Sequence, residues 1–243
     1  MKKCDLRRFI PAAFASCVLA ASAQTPPPPP LTEMLQQKLE QMQQATAWNE
    51  QQLHTYQWIE ATMLTIDGTS APPKQSICRY SADGTLLKTP LGPPGQQGMP
   101  GRRGGAIKKH IAKEKEEKIQ GEVKQIHALT QLYLPFNQAK FREVLGTGKV
   151  DLEHDGANGD AIILYNYRKA GDQLRLTLDP ATMQIVRISV KTYFEEHQDV
   201  MTVDIHFSLL ADGTIYPALT SIEAPSMKLS IATVDSDFSK AIY

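Results

Sequence analysis

One segment of the sequence has oxygen-bearing side chains spaced closely enough to suggest metal binding. Asp155-Gly-Ala-Asn158-Gly-Asp160 places an aspartate at each end and an asparagine between them. A calcium loop of the EF-hand type needs ligands at alternate positions and a bidentate glutamate further along the chain, and this segment has neither. It also falls where a turn between two strands is expected. We therefore predict a hairpin turn and no metal site.

The other residue types that carry out catalysis form no recognisable motif. The six histidines are scattered, and no two of them have the spacing of a zinc motif. The sequence contains no Gly-x-Ser-x-Gly elbow, no phosphate-binding glycine-rich loop and no dinucleotide fingerprint. We therefore predict no enzyme, no catalytic residue and no cofactor. An exported hydrolase remains an alternative, because catalytic groups can lie far apart in sequence.

Cysteine usage predicts a fold without an internal disulfide. Cys4 and Cys17 lie in an N-terminal segment that we expect to be removed, which leaves Cys78 alone. Cys78 lies in a strand-like run from Ser76 to Tyr80. We predict a buried, unreactive thiol there rather than a reactive or intermolecular one.

The first 23 residues have the composition of an export signal. Basic residues precede an apolar stretch from Phe9 to Ala20, and Ala21-Ser22-Ala23 forms a small-x-small cleavage site. We expect cleavage before Gln24 and a periplasmic location. As alternatives, Phe14-Ala15-Ser16-Cys17 approximates a lipobox, which would anchor the protein through a lipid on Cys17, and Arg7-Arg8 hints at the twin-arginine route.

Charge argues against a nucleic-acid partner. The full chain has 26 basic and 26 acidic residues, and removal of residues 1–23 would leave a formal net charge of −3. A nearly neutral protein has no general electrostatic attraction for nucleic acid. No later stretch of 18 apolar residues occurs, so we expect the mature chain to be soluble or peripherally attached to a membrane.

One local basic cluster interrupts this neutral composition. Its members have no acidic residue among them, and two explanations remain open: contact with anionic lipid headgroups or a partner, and an ordinary solvated helix face. The members are Arg102, Arg103, Lys108, Lys109 and Lys113.

About ninety residues at the end of the chain alternate between apolar and polar side chains. Val203, Ile205 and Phe207, for example, alternate with Asp204 and His206. Because successive side chains of a strand point to opposite faces, this period of two predicts a twisted antiparallel sheet with one continuous apolar face. The predicted strands lie near 148–154, 160–168, 173–178, 184–195, 200–210, 214–223 and 227–235.

The N-terminal half supplies helices and two further strands. Thr32 can cap a helix that runs to about Leu53, with an apolar stripe at Leu35, Leu39 and Met42. Two strands follow, each ending at an Asp-Gly turn, and then a charged helix and a short helix ended by a glycine. The strands run from Tyr56 to Ile66 and from Gln75 to Ala82, the charged helix from about Ala106 to Leu132, and the short helix from Asn137 to Gly146.

Between these strands and helices, residues 90–105 repeat glycine at every third position, in the manner of collagen. The repeat is far too short for a triple helix, so we predict a surface loop. The predicted organisation is a signal peptide (1–23), a proline-rich linker (24–31) and a single domain (32–243). The glycine-rich loop and the charged helix form an insertion in that domain at about 90–132.

Two stretches of the predicted meander carry a family resemblance. They are the polar turn and strand from Gly171-Asp172 to Asp179-Pro180-Ala-Thr, and the closing strands from Tyr216-Pro217 to Ser236. A polar turn, a strand ending Leu-Asp-Pro and then a strand of Ile/Val alternation resemble the LolA/LolB-like half-barrel family of envelope lipoprotein carriers. The resemblance covers roughly residues 45–235. It brings no catalytic residues, and residues 90–132 look like an insertion or an elaborated lid.

The resemblance implies an α+β fold in which a curved antiparallel sheet forms an incomplete barrel and helices pack on its concave face. A strongly curved sheet with one apolar face leaves a cavity that can accept acyl chains. The side chains that we expect to line this cavity are Trp58, Leu176, Ile188, Ile205 and Phe207.

The expected function is therefore binding of a lipid, an acyl chain or a lipidated partner, in the manner of a carrier or chaperone for outer-membrane lipoprotein sorting. If the helices instead fill the cavity, the same scaffold would be a ligand-free envelope interaction or sensor domain. Peripheral membrane contact is compatible with both the carrier function and the interaction-domain function, and the sequence leaves the oligomeric state open.

Overall fold

A computed structural model describes residues 31–92, 106–134, 138–147, 149–154, 159–182 and 184–241. Within these ranges the chain forms three α-helices, a 3₁₀ turn at Pro225–Met227 and eleven β-strands. The helices are α1 (Leu31–Leu53), α2 (Ala106–Gln131) and α3 (Gln138–Gly146). The strands are β1 (Tyr56–Ile66), β2 (Thr69–Ser70), β3 (Lys74–Tyr80), β4 (Leu86–Leu91), β5 (Val150–His154), β6 (Asp160–Tyr165), β7 (Gln173–Leu178), β8 (Ile185–Tyr193), β9 (Val200–Leu209), β10 (Ile215–Ala224) and β11 (Leu229–Lys240).

The strands form one curved antiparallel sheet in the order β4-β3-β1-β11-β10-β9-β8-β7-β6-β5, with β2 paired to β1. Strands β5 to β11 are a plain meander in which each strand pairs with the next. The last strand, β11, then pairs with β1 over most of its length, which joins the N-terminal strands to the meander. In the part of the chain that the structure describes, β4 and β5 are the two edges and do not pair, so the sheet is open.

Most predicted elements form close to their expected boundaries. The sequence pattern does not predict strand β2, β6 ends at Tyr165 and not at 168, and three further corrections apply. Helix α1 begins at Leu31, a residue that the sequence pattern assigns to the linker, so Thr32 lies within the helix and is not its cap. Residues Leu86–Leu91 form an edge strand that the sequence pattern does not predict, so the predicted loop at 90–105 begins later than expected. The last strand continues five residues beyond the predicted end at 235, to Lys240. Residues 93–105 lie outside the described part.

The Asp-Gly turns follow from backbone conformation. Asp67 and Gly68, between β1 and β2, have φ values of 49° and 77°. Positive φ at both central residues is the type I′ geometry whose twist matches paired strands, and the Asp-Gly pair favours it. Gly84 and Gly213 also have positive φ in their turns. The predicted Asp155-Gly156 turn lies outside the described residues.

One face of the sheet is apolar across most of its strands. The pairing sets Leu174 beside Val190, Val190 beside Val203 and Ile222 beside Ile231. Period-2 alternation along most of the strands therefore brings apolar side chains of neighbouring strands together on one side, as predicted. We call this side the apolar face and the other side the opposite face. The apolar face includes Leu64, Ile66, Ile162, Leu164, Leu174, Leu176, Ile188, Val190, Val203, Ile205, Ile222, Leu229 and Ile231.

Helix side chains are buried in the same cluster as this face. Ile126 of α2, Tyr133 just after it, and Phe141 and Val144 of α3 are at most 4% exposed and belong to one hydrophobic core with β6 to β11. Helix α1 is tied to the sheet at its C-terminal end, where Asn49 Nδ2 donates to the Ile215 carbonyl at 2.8 Å. The predicted stripe of Leu35, Leu39 and Met42 lies on residues of α1 whose side chains are not described.

Candidate functional site

Three of the five predicted lining residues meet at the centre of the core. Leu176 pairs with Ile188, and Ile188 pairs with Ile205, on adjacent strands of the apolar face. Their exposed fractions are 0%, 5% and 7%. These side chains are therefore already covered by other parts of the protein in this conformation.

Phe207 lies at the border of this core, next to a small apolar pocket. Phe207 is partly buried and packs against the core cluster. The pocket has a volume of about 70 Å³, and Ile185, Phe207, Leu209 and Ile215 supply its apolar lining. Leu209 is 63% exposed, so the pocket opens to solvent at the end of β9.

The apolar face continues beyond the fully buried core, onto β11 and β1. Leu64, Ile66 and Ile231 pack against the core but are only partly buried. They lie beside the buried Ile222 and Leu229 through the β10–β11 and β1–β11 pairings. We call Leu64, Ile66 and Ile231 the half-buried strip. It is one of the parts of the apolar face that remain partly accessible among the described residues.

Trp58 lies on the same face but in a separate aromatic cluster. It is at an even spacing from Leu64 on β1, so both side chains project from the apolar face. Trp58 is 6% exposed, stacks on Phe238 with ring centroids 5.6 Å apart and contacts Tyr80 at 5.7 Å. Trp58 is not part of the buried core that contains Leu176.

Between the half-buried strip and Trp58 lies a group of charged side chains that sequence reasoning missed. Glu60 and Asp235 are directly opposite each other in the β1–β11 pairing. Lys88 of β4 donates to Glu60 Oε2 at 2.6 Å, and the Glu60 side chain is 17% exposed. We call Glu60, Asp235 and Lys88 the acidic cluster.

The environment of Asp235 strongly disfavours its charged form. Burial, and then the neighbouring Glu60 carboxylate, raise its pKa to about 7, while Lys88 and the Trp58 indole partly oppose the rise. The indole N–H is directed at the Asp235 carboxyl without reaching the geometry of a hydrogen bond. Trp58 Nε1 and Asp235 Oδ1 are thus both buried without a hydrogen-bond partner among the described residues.

Cys78 sits between these groups on β3, opposite Trp58 and Lys88. It is fully buried, as predicted. Burial, with a further contribution from Glu60, raises the pKa of the thiol to about 11. The thiolate is therefore scarce near neutral pH, which agrees with the predicted unreactive role.

A second buried polar network fixes the end of α2 to the sheet. Tyr133 Oη donates to Asp172 Oδ2 at 2.6 Å and lies 2.8 Å from Thr192 Oγ1. The backbone N–H groups of Arg168 and Lys169 donate to the same Asp172 oxygen. Burial, and next the hydrogen bond to Asp172, raise the pKa of Tyr133 well above its usual range. This network is an anchor for the helix.

The opposite face of the sheet is divided into a charged part and an apolar part. On β5 to β9 it carries ion pairs, such as Arg175 to Glu153 at 2.6 Å and Arg187 to Asp204. On β3, β1, β11 and β10 it carries large apolar side chains that are 36–44% exposed: Ile77, Met63, Val234 and Leu219.

Several predicted features fall outside the described part of the chain. They include the signal segment, residues 155–158 of the oxygen-rich loop, and all side chains of the basic cluster (Arg102, Arg103, Lys108, Lys109 and Lys113). At the described end of the oxygen-rich loop, Asp160 pairs with His154 Nδ1 at 2.8 Å. The described residues contain no group of three or more His, Cys, Asp or Glu side chains able to hold a metal ion. None of the described helical residues forms a segment long and apolar enough to cross a bilayer.

The acidic cluster could not be recognised from the sequence, because its members lie on β1, β4 and β11. Asp235 was placed at the end of a predicted strand, and the segment of Lys88 was not predicted as a strand. One indication existed: Glu60 is a charged residue at an apolar-face position of a predicted strand.

No family model matches this chain, and no curated protein matches it. Solved structures that this chain is similar to include a DUF1329 family protein from Desulfovibrio piger (8% identity, TM-score 0.42, covering 85% of this chain and 93% of that one). An outer membrane lipoprotein-sorting protein domain from Vibrio parahaemolyticus has 10% identity and a TM-score of 0.41, covering 84% and 92%. A LolA superfamily protein from Nitrosomonas europaea has 11% identity and a TM-score of 0.36, covering 86% and 94%.

Proposed function

We propose that this protein is an exported cell-envelope protein that binds a lipid, an acyl chain or a lipidated partner on the apolar face of its sheet. The half-buried strip carries this proposal, because Leu64, Ile66 and Ile231 extend the apolar face beyond the part that the helices bury. Covering apolar surface is favourable by about 25 cal/mol per Å². An acyl chain laid along the strip would gain this free energy without any new polar contact.

In this proposal the helices lie on the concave side of an incomplete barrel, and the acyl chain occupies the space that they leave. The pocket beside Phe207, with its volume of about 70 Å³, has room for the end of a chain only. The fully buried Leu176, Ile188 and Ile205 form the floor of the site, and they would contact ligand after a helix moves. The segment at 90–132 would then act as the lid.

Export is part of the same proposal. The basic start, the apolar stretch and the small-x-small site of residues 1–23 support cleavage and a periplasmic location. Lipidation at Cys17 is the alternative, and it would hold the same domain at a membrane surface. Peripheral membrane contact fits both arrangements.

One observation favours a different function on the same scaffold. The opposite face exposes Ile77, Met63, Val234 and Leu219, and contiguous exposed apolar side chains are typical of interaction surfaces. A ligand-free interaction or sensor domain would use this face and keep the apolar face as ordinary core.

Substitutions at two neighbouring residues of β1 distinguish these two functions experimentally. Leu64 lies in the half-buried strip, and Met63 lies on the opposite face. We expect Leu64→Gln to weaken binding of monolauroylglycerol, a neutral 12-carbon amphiphile, by about tenfold or more, measured by calorimetry below its critical micelle concentration. Met63→Gln should leave this affinity within about twofold of the original, since the removed side chain faces away from the ligand.

Circular dichroism would establish that both variants remain folded. Failure of the unmodified protein to bind either monolauroylglycerol or charged amphiphiles with the same 12-carbon chain would refute the carrier proposal. Equal weakening by the two substitutions would also refute it, because binding would then not be specific to the apolar face.

A further inference from the structure

The geometry points to the acidic cluster as the headgroup end of the proposed ligand site, and we infer that it selects amphiphiles with an ammonium headgroup over those with an anionic one. This inference rests on the proposed function, because it names the ligand class of the same apolar face.

The first step is the position of the cluster on that face. Glu60, Thr62, Leu64 and Ile66 alternate along β1 and project from the same side. Leu64 follows Glu60 by four residue steps along the strand, a distance of about 13 Å. Thr62, whose hydroxyl lies 3.1 Å from that of Thr233, is a polar residue between Glu60 and Leu64 on this face. An amphiphile with its chain on the half-buried strip would therefore reach the acidic cluster with its headgroup.

The second step is the charge of the cluster. Glu60 and Asp235 face each other across the β1–β11 pairing, and Lys88 is bound to Glu60 at 2.6 Å. With both carboxyl groups ionised, the cluster has one more negative than positive charge. A cation beside Asp235 would balance it, whereas a carboxylate or phosphate would add to the repulsion.

The third step is the unsatisfied hydrogen-bonding capacity beside Asp235. Trp58 is 6% exposed and directs its indole N–H at this carboxyl, yet neither Nε1 nor Asp235 Oδ1 has a hydrogen-bond partner among the described residues. Buried polar groups in native proteins are rarely left in this state. An ammonium group would donate to Oδ1, and an ester or hydroxyl oxygen beside it would accept from Nε1.

The cluster is also reachable. The Glu60 side chain is 17% exposed and that of Lys88 is 46% exposed, while Asp235 is partly buried. Solvent therefore reaches the cluster from the side of β4, the edge strand. A ligand could place its headgroup there without unfolding the sheet.

Three amphiphiles with the same 12-carbon chain test this inference: dodecylammonium, laurate and monolauroylglycerol. Calorimetry at pH 8 and submicellar concentration should show dodecylammonium binding at least about tenfold more tightly than laurate. Asp235→Asn should reduce this preference to within about threefold. Glu223→Gln removes an exposed carboxylate from β10 on the opposite face and should leave the preference unchanged.

The preference for dodecylammonium over laurate should also diminish as pH falls from 8 to 5.5, because Asp235 then takes up a proton. Its pKa is about 7. The groups that act on this carboxyl are Glu60, Lys88 and Trp58, with Cys78 and Tyr80 on β3, the strand beyond β1.

The outcomes distinguish the inference from the proposed function. If all three amphiphiles bind equally well, or if Asp235→Asn leaves the preference intact, the inference fails while the apolar site stands. If none of them binds, the proposed function fails and the inference fails with it.

Discussion

Asp235 is the residue whose chemistry most directly links stability to pH. Its pKa is raised from 3.8 to about 7 by burial and by Glu60. A carboxyl that binds its proton more tightly in the folded state than in the unfolded state favours folding at low pH. Its contribution is fully present below about pH 4 and is lost as pH rises through about 7.

Asp235→Asn should therefore stabilise the protein at pH 8. The substitution removes a buried charge that faces another carboxylate, and we expect the free energy of unfolding to rise by about 2 kcal/mol, after allowing for partial solvent screening. The gain should shrink as pH falls, and it should be close to zero only at about pH 3.5, below the ordinary pKa of 3.8, where Asp235 is protonated in the unfolded state as well. Urea unfolding at the two pH values measures both numbers. A variant that is less stable than the original protein at pH 8 would contradict this account of Asp235.

At the scale of elements, the attachment of α2 depends on one buried hydrogen-bond network. Tyr133 and Asp172 are each 1% exposed, and the Tyr133 hydroxyl bridges Asp172 and Thr192. Removing this hydroxyl deprives a buried carboxylate of its strongest side-chain donor.

Tyr133→Phe should therefore lower the free energy of unfolding by about 1–3 kcal/mol. It should also speed hydrogen exchange in the last turns of α2 relative to β8. Tyr193→Phe is the matched control, because the Tyr193 hydroxyl donates to the Ala170 carbonyl at an exposed position, at 2.8 Å. We expect this control substitution to lower the free energy of unfolding by less than about 0.5 kcal/mol. Equal losses of unfolding free energy in the two variants would show that the Tyr133 network does not hold α2 more strongly than an exposed hydrogen bond would.

The sequence predicts those elements in which apolar and polar side chains recur with a single period. Strands β7 to β9 alternate between apolar and polar residues because one side faces the core, so their order and pairing follow from the pattern. Strand β4 was missed because Leu-Leu-Lys-Thr-Pro-Leu does not alternate and contains a proline, which only an edge position tolerates. The end of β11 was missed because Asp235-Ser-Asp-Phe238 contains residues that are rare in strands, and Asp237 there adopts a φ of 55°.

The candidate site was predictable only in part, for a related reason. Leu176, Ile188 and Ile205 share a face by local alternation, so their proximity could be inferred from the sequence. The meeting of Glu60 with Asp235 depends on β1 pairing with β11, a contact between the two ends of the domain. No local pattern in the sequence specifies that pairing or its register.

At the scale of the whole molecule, the pairing of β1 with β11 brings three kinds of surface onto one face. The buried core of β6 to β11 adjoins the half-buried strip of β11 and β1, and the acidic cluster lies further along these two strands, with Lys88 contributed by β4. A hydrophobic chain and a polar headgroup could then be bound by adjacent parts of a single surface. This arrangement is the basis for proposing a carrier rather than a simple structural domain.

The most direct test of the carrier proposal is native mass spectrometry of the full-length gene product, purified from the cell envelope and soluble fractions of an expressing cell, with lipid extraction of the same sample. We predict a bound amphiphile at a defined stoichiometry, retained in the Met63→Gln variant and lost in the Leu64→Gln variant. A protein that carries no lipid, and whose mass stays unchanged after incubation with monolauroylglycerol or dodecylammonium, would contradict the account.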